Sequence, residues 1–499
     1  MNRNLESLKK EKFDLLIIGG GINGAGIANL ASRQGLRTVL LEKGDFASGT
    51  SGKSSKLAHG GIRYLEQFQF HLVRESLRER YFHVREVPHL VRPIPFMIPV
   101  YDGDRRPLWM MRAGVFLYDL LAGKMKLGRH KNLSAAQVLE MEPSLKRGGL
   151  KGGVLYYDAQ MDDARLCLEN ALQARLQGAV VENYVRVNSF IKENGKAAGV
   201  KACDVLNGAG SEFEIRAKRI VAAAGPWANE IIKMDQREAP DRVRTTKGIH
   251  LVVPHPVSAN ALLIPSSRDN RIFFVIPWNG NSLIGTTDTD YFSSPDNVKA
   301  DEEDIRYLIE ETKRVFPGFT VNREDMITFA GLRPLVRHEG SPSNVSREHE
   351  IFNTASGVIF ITGGKYTTYR VMAEQCLARI IPVKKDGRHS IYGGGAVIGS
   401  AEAAARDFGL DPDIVRSLME KYGSRYRDVL EIAARNPSLK ERICPHAPLV
   451  RAQIVYAREK EMAETGDDVI FRRLGAGYNA CLMKECRQTL TQAVQELMR

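Results

Sequence analysis

FDLLIIGGGINGAGIANLASRQGLRTVLLEK, residues 13–43, decides the fold. FDLLIIG is a short apolar run of the kind that forms a buried parallel strand. Gly19, Gly21 and Gly24 then form G-x-G-x-x-G. The Ala-rich stretch AGIANLASRQG predicts a helix that stops at Gly35, and TVLLE predicts a second strand ending at Glu42. In such a unit Gly19 permits the tight turn, Gly21 lets backbone approach a pyrophosphate, and Gly24 allows close helix–strand packing. The helix N-terminus offers free N–H groups to phosphates, with Asn23 beside them. Glu42 can accept hydrogen bonds from ribose hydroxyls. Strand, glycines, helix, strand and acid in this order make a dinucleotide site, where the glycines alone would be weak evidence.

Working outward, a chain of 499 residues predicts two or three domains, and 43% hydrophobic residues supply a large core. Lys and Arg number 71 against 59 Asp and Glu, a net charge of +12 that favours anionic partners. The basic residues are not interleaved with aromatics in a recognisable RNA module, so nucleic acid is not expected. The six cysteines include no CxxC pair, which predicts reduced thiols, no dense disulfide framework and no metal site. The start, MNRNLESLKKEK, lacks the apolar run of a signal peptide. No uncharged stretch approaches the ~20 residues needed to span a bilayer. These features predict a soluble or peripheral protein.

Three further segments favour FAD over NAD. The loop SGTSGKSS, residues 48–55, offers hydroxyls and amides from Thr50, Ser51, Ser54 and Ser55 to a phosphate or ribityl chain, although its composition alone reads as a flexible loop. RIVAAAGPWANE, residues 219–230, predicts a strand ending at Gly225 and Pro226. GVIFITGGKYTTYRVMAEQCLARII, residues 357–381, predicts strand, Gly363–Gly364, then helix. A second strand–glycine–helix unit this far along the chain implies that the sheet returns to the cofactor. A helix N-terminus there would stabilise negative charge on a reduced flavin. No second G-x-G-x-x-G is present for NADH.

GGGINGAGIA, TSGKSSKLAHGGIRYLE, GPWAN, KGIHLVVP, FVIPWNG, IGTTDTDY, GLRPL and GGKYTTYR, in this order, closely resemble the FAD-dependent glycerol-3-phosphate dehydrogenases, the respiratory, quinone-reducing enzymes. The matching segments run from about residue 13 to about residue 376, and EKEMAETGDDVIFRRLGAG is similar to that family's helical C-terminal domain. The resemblance implies an α/β fold of the glutathione-reductase-like, amino-acid-oxidase type. Its FAD domain is expected over 1–90, 150–240 and 335–385. A cap on an antiparallel sheet is expected over 91–149 and 241–334, and a helical domain over 386–499. It implies non-covalent FAD, oxidation of sn-glycerol 3-phosphate to dihydroxyacetone phosphate, and ubiquinone or menaquinone as acceptor. It also implies a peripheral position on an anionic membrane surface, at the cytoplasmic face of the inner membrane, and allows a homodimer. Departures are small: the family often has Leu where Tyr366 stands, and no D-x-D-x-D-G calcium loop is present.

Oxidising a phosphate-bearing alcohol needs a hydride acceptor, a base and cations that fix the substrate. The resemblance places Arg63, Tyr64, Arg333, Arg347 and Lys365 in the substrate site. Arg333, in the apolar, Pro-bounded FAGLRPLV, is a costly charge unless paired, which supports a site from the residues alone. Arg63 follows two glycines, Gly60 and Gly61, which supports a close approach there. Lys365 stands at a helix start, where a cation calls for a nearby anion. Arg347, in the polar SPSNVSREHE, rests on the resemblance. For the base, histidine is the natural choice; His250 in KGIHLVVP is preferred and His59 in KLAHGG kept second. Thr286 in GTTD matches a polar residue near the substrate.

RRPLWMMRAGVFLYDLLAGKMKLGRHK, residues 105–131, carries seven Lys/Arg and one acid around an apolar, aromatic middle. An interfacial helix on anionic lipid and an ordinary buried cap helix both fit this pattern. Beyond Gly395, AEAAARDFG, DPDIVRSLMEKYGSRYRDVLEIAARN and RAQIVYAREKEMAE predict helices, with Arg472, Arg473, Asp467 and Asp468 facing solvent. An oxygen-reducing glycerophosphate oxidase shares most of these motifs, but usually carries an insertion that this chain lacks.

Overall fold

The computed structural model describes residues 3–206, 208, 210–269, 271–337, 348–384 and 390–498. Two sheets organise them. The first is eight-stranded and runs His349–Asn353, Ile359–Gly363, Phe213–Ala222, Lys12–Ile18, Thr38–Leu41, Val180–Glu182. All neighbours pair in parallel except His349–Asn353, which closes one edge antiparallel. The hairpin Val185–Glu193 and Lys196–Asp204 joins this sheet through Phe213–Ala222. Leu15, Leu16 and Ile17 are fully buried because both faces of the sheet are covered.

The fingerprint helix, Ile22–Arg33, is buried nearly all round. It lies between the sheet and the helices Asp163–Leu176 and Tyr369–Leu377. Gly24 is obligatory: a Cβ there would sit 1.8 Å from the Gly19 carbonyl oxygen. The predicted second strand–glycine–helix unit is present as Ile359–Gly363, a short 3₁₀ turn and Tyr369–Leu377, in the same sheet as the first unit with Phe213–Ala222 between their strands. The two predicted units thus become one sheet.

The second sheet has ten strands. It is antiparallel as expected, except that Ala261–Pro265 pairs in parallel with Val91–Tyr101. The strand Leu150–Met161, expected in the FAD domain, belongs to this cap sheet: it pairs along its length with Val91–Tyr101. The boundary expected at residue 150 therefore falls after Met161, where Asp162 caps the helix Asp163–Leu176. Leu57–Ala58 also joins the cap sheet, so the chain crosses between the sheets just before His59.

The C-terminal helices Ala401–Phe408, Pro412–Tyr422, Tyr426–Ala434, Ala452–Glu461 and Arg487–Leu497 pack around their own apolar clusters. Arg473 and Asp468, expected in solvent, are fully buried. A π-helical turn, Asp468–Arg473, delivers Arg473 to Asp45 in a bidentate pair of 2.6 and 2.8 Å, and Arg472 to the same carboxylate at 2.5 Å. Burial pushes the Asp45 carboxyl up, but the two guanidiniums outweigh it and hold it below its ordinary value. Only Asp467 of the four faces solvent. A second buried set, Arg165 with Glu461 (2.7 Å) and Glu169 (3.1 Å), fastens the same domain to the helix Asp163–Leu176. Among the described residues, no helix is long and apolar enough to cross a membrane.

Candidate active site

A cleft of about 990 Å³ opens between the two sheets. Its floor is the fingerprint. Gly19, Gly21, Asn23 and Glu42 line it, as do Gly225, Gly363 and Gly364. Glu42 braces the glycine loop with both oxygens, accepting from Gly20 N at 2.6 Å and Gly44 N at 2.8 Å. Ser51 Oγ accepts from Ile22 N at 2.9 Å and so closes one N–H of the helix start. Thr50 and Ser54 reach the cleft wall, but their hydroxyls donate to protein groups, Leu332 O at 2.6 Å and Asp163 Oδ2 at 2.7 Å. Lys43, Lys53, Arg186, Arg333 and Lys365 give the cleft a cationic lining suited to phosphates.

One wall of the cleft comes from three adjacent strands of the cap sheet. Val243–Val253 lies between Asn281–Gly285 and Ile327–Val336. Alternate residues of a strand share a face, so Gly248 and His250 stand together, as do Phe329, Gly331 and Arg333. Gly248 makes room for the arginine: a Cβ there would meet Thr286 Oγ1 at 2.4 Å and Arg333 Nη2 at 2.6 Å. Gly285, opposite His250, does the same for the imidazole, 2.4 Å from a built Cβ.

Arg333 donates to Asp288 Oδ1 (3.0 Å), Thr286 Oγ1 (3.0 Å) and Thr287 O (3.1 Å). The pairing expected for a charge in this apolar strand is thus present, and Thr286 is part of it. His250 stacks on Phe329 at 4.8 Å and is hydrogen-bonded through Nε2 to Ser55 Oγ at 2.9 Å. Burial, then the charges of Arg333 and Lys56, hold the imidazole well below the ordinary histidine pKa, so it is neutral at pH 7. Lys365 enters from the first sheet, with Nζ 3.8 Å above the Tyr64 ring and 3.2 Å from Ser76 Oγ. His59 lines the same cleft, its backbone N–H held by Thr367 Oγ1 at 3.2 Å.

The structure brings His59, Tyr64, His250, Thr286, Arg333 and Lys365 to one cleft. It does not bring Arg63 there. Gly61 and Phe68, both left-handed, bound the 3₁₀ stretch Ile62–Gln67, and this turn sends Arg63 outward, exposed, into a neighbouring cavity of about 870 Å³. Arg347 lies outside the described residues. Sequence reasoning missed Asp288, although it stood within the quoted IGTTDTDY. It also missed Lys53 and the buried Lys56–Asp163 pair at 2.5 Å. Ser55, expected on the cofactor, holds His250.

The fold and the cleft define a dinucleotide-binding oxidoreductase whose cleft is walled by a second sheet. Residues 14–370 match the FAD dependent oxidoreductase family, and residues 388–499 match the C-terminal domain of alpha-glycerophosphate oxidase. The chain is 39% identical to the glycerol-3-phosphate dehydrogenase of Synechocystis sp., across 94% of this chain and 90% of that one. It is 37% identical to the aerobic glycerol-3-phosphate dehydrogenase of Staphylococcus aureus, across 95% and 88%. The solved glycerol-3-phosphate dehydrogenase of Bacillus halodurans, complexed with FAD, superposes with a TM-score of 0.81 at 32% identity, covering 99% of this chain and 92% of that one. The chain belongs to the glycerol-3-phosphate dehydrogenases of the FAD-dependent oxidoreductase family, and FAD is its cofactor.

Proposed function

We propose that this protein oxidises sn-glycerol 3-phosphate to dihydroxyacetone phosphate and passes the electrons to a membrane quinone. The observation that carries the substrate half is the meeting of Arg333, Lys365, Thr286 and a neutral His250 on one wall of the FAD cleft. A phosphate dianion needs cations with fixed donors, and the guanidinium is already aligned by Asp288. FAD, when bound, accepts the hydride from the carbinol carbon. The chain's residues do the rest. Arg333 and Lys365 hold the anionic end and set the carbon's position. His250, neutral and so with a lone pair on one ring nitrogen, takes the hydroxyl proton as the carbonyl forms. Ser55 fixes the ring that does so. His59 is second choice, because its side chain is half-exposed where His250 is enclosed.

The acceptor reading rests on a different surface. The cap helix Leu108–Ala122 buries Val115, Tyr118 and Ala122 but exposes Trp109 (68%), Phe116 (59%) and Leu120 (63%). An apolar, aromatic face flanked by Arg105, Arg106, Lys124 and Lys126 suits the interface of an anionic bilayer, where a quinone resides. The protein would then sit on the cytoplasmic face of the inner membrane.

Anaerobic addition of glycerol 3-phosphate to the purified flavoprotein should bleach the flavin absorbance. A flavin that stays oxidised refutes the substrate half. Reoxidation by a soluble quinone analogue should far outpace reoxidation by oxygen, and rapid stoichiometric hydrogen peroxide would instead mark an oxidase.

A further inference from the structure

We propose that Cys444, His446, Cys481 and Cys486 bind one zinc ion that staples the end of the C-terminal domain. Their ligand atoms all lie within 4.8 Å of one another. Cys444 Sγ is 3.6 Å from Cys481 Sγ, which is 3.5 Å from Cys486 Sγ. His446 Nδ1 is 3.2 Å from Cys481 Sγ and 3.9 Å from Cys444 Sγ. A disulfide needs about 2.05 Å, so these thiols are not bonded. A tetrahedral zinc with Zn–S bonds of about 2.3 Å puts neighbouring ligands about 3.8 Å apart, the spacing seen here. An iron–sulfur cluster of two irons would hold its ligand pairs further apart than one ion does.

The backbone is shaped for the purpose. Arg442 and Val450 form an antiparallel bridge, Ile443 N–H donates to Leu449 O at 2.9 Å, and Ala447 N–H donates to Cys444 O at 3.3 Å. This knuckle turns Cys444 and His446 to one side. Asn479 caps the short helix Ala480–Met483, which carries Cys481, and Cys486 N–H donates to Cys481 O at 2.9 Å. The second pair is thereby folded back on itself, directly before the final helix Arg487–Leu497.

The spacing hid the site. No CxxC is present, the two halves lie thirty-five positions apart, and one ligand is a histidine. Four protein ligands leave no open position, which marks a structural rather than a catalytic zinc. The ion would tie the knuckle bearing Ile443 and Leu449 to the segment bearing Leu482 and Leu490, which share one apolar cluster.

The test is metal analysis of the untagged, flavin-loaded protein grown with zinc. About one zinc per chain is expected, with X-ray absorption showing three sulfur ligands near 2.3 Å and one nitrogen near 2.0–2.1 Å. Loss of an outer partner alone weakens metal sites by roughly 10–100-fold. His446→Ala, at an exposed side chain, should therefore lose at least about tenfold in zinc retention against a competing chelator, while its flavin content stays that of the wild type. Three results would overturn the proposal: wild type that neither carries nor takes up zinc after reduction, stoichiometric iron with sulfide, or a disulfide among these cysteines in protein purified without reductant.

Discussion

Arg333→Ala tests the substrate wall most directly. Among the described residues the guanidinium donates to Asp288, Thr286 and Thr287, and it is 19% exposed against 12% for its partner Asp288. It is held in place before substrate arrives, so its donors to an anion carry little ordering cost. Charge-assisted hydrogen bonds contribute about 1.5–3 kcal/mol. Removing this one should lower kcat/KM roughly 10- to 150-fold. The substitution also strands Asp288. A fully buried broken pair costs about 3–5 kcal/mol, and the partial exposure here reduces that to about 1–2 kcal/mol. The protein should therefore still fold and keep its flavin, because Arg333 lies on the cap sheet while the fingerprint lies on the other. Steady-state kinetics with glycerol 3-phosphate and the flavin-to-protein absorbance ratio separate the cases. Unchanged substrate dependence, or loss of flavin with substrate dependence intact, would refute the assignment of Arg333 to the substrate.

Gly24→Ala should abolish flavin binding: its Cβ, built 1.8 Å from Gly19 O, cannot be accommodated below about 3.0 Å without moving the helix away from the phosphates, and a normal flavin ratio would contradict this packing. Burial holds His83 at about 4, while the unfolded chain takes up a proton below about pH 6.5. Its contribution to stability is therefore complete above pH 6.5 and falls by up to about 1.4 kcal/mol per unit as pH drops toward 4. Denaturant titrations should show a shallower acid loss in His83→Gln than in the wild type. Trp109→Ser with Phe116→Ser should release the protein from anionic vesicles at unchanged thermal stability, since both side chains are exposed; undiminished sedimentation with vesicles would remove this helix as the anchor.

What the sequence made legible was local. The fingerprint is readable because Gly19 and Gly24 answer short-range demands, a φ of +108° at Gly19 and contact with the Gly19 carbonyl at Gly24. The cap boundary was not, because nothing within LKGGVLYYDAQM says that its partner is Val91–Tyr101 rather than a strand of the first sheet. Arg472 and Arg473 read as a solvated charge run, since their counter-ion, Asp45, stands 428 positions from Arg473. Arg333 was legible by the opposite logic: a charge among apolar strand residues demands a partner, and Thr286 and Asp288 supply it. Arg63 was misplaced because its direction depends on two left-handed residues, Gly61 and Phe68, and only the first is of a type that announces such a turn. Ser55 illustrates the remaining gap. A hydroxyl in a loop can serve cofactor or protein equally, and only the crossing of the chain into the cap sheet at Leu57 turns it toward His250.

The electrostatics of His250 lead to one more prediction. Its pKa is lowered first by burial and then by Arg333 and Lys56. At 3% exposure it has little further water to lose when ligands bind. A phosphate dianion settling on Arg333 instead cancels part of the second cause. The imidazole should thus become more basic as substrate binds, when a proton acceptor is required. The base works only when neutral, so activity falls on the acid side of its pKa. The limb in kcat/KM reports the free enzyme and the limb in kcat reports the complex. The kcat limb should lie at higher pH than the kcat/KM limb, and Arg333→Ala should move the kcat/KM limb upward toward it. His250→Asn should remove the limb together with most of the rate. If His59 were the base, that limb would survive in His250→Asn and vanish in His59→Asn, and the dependence on Arg333 would have no cause in this wall.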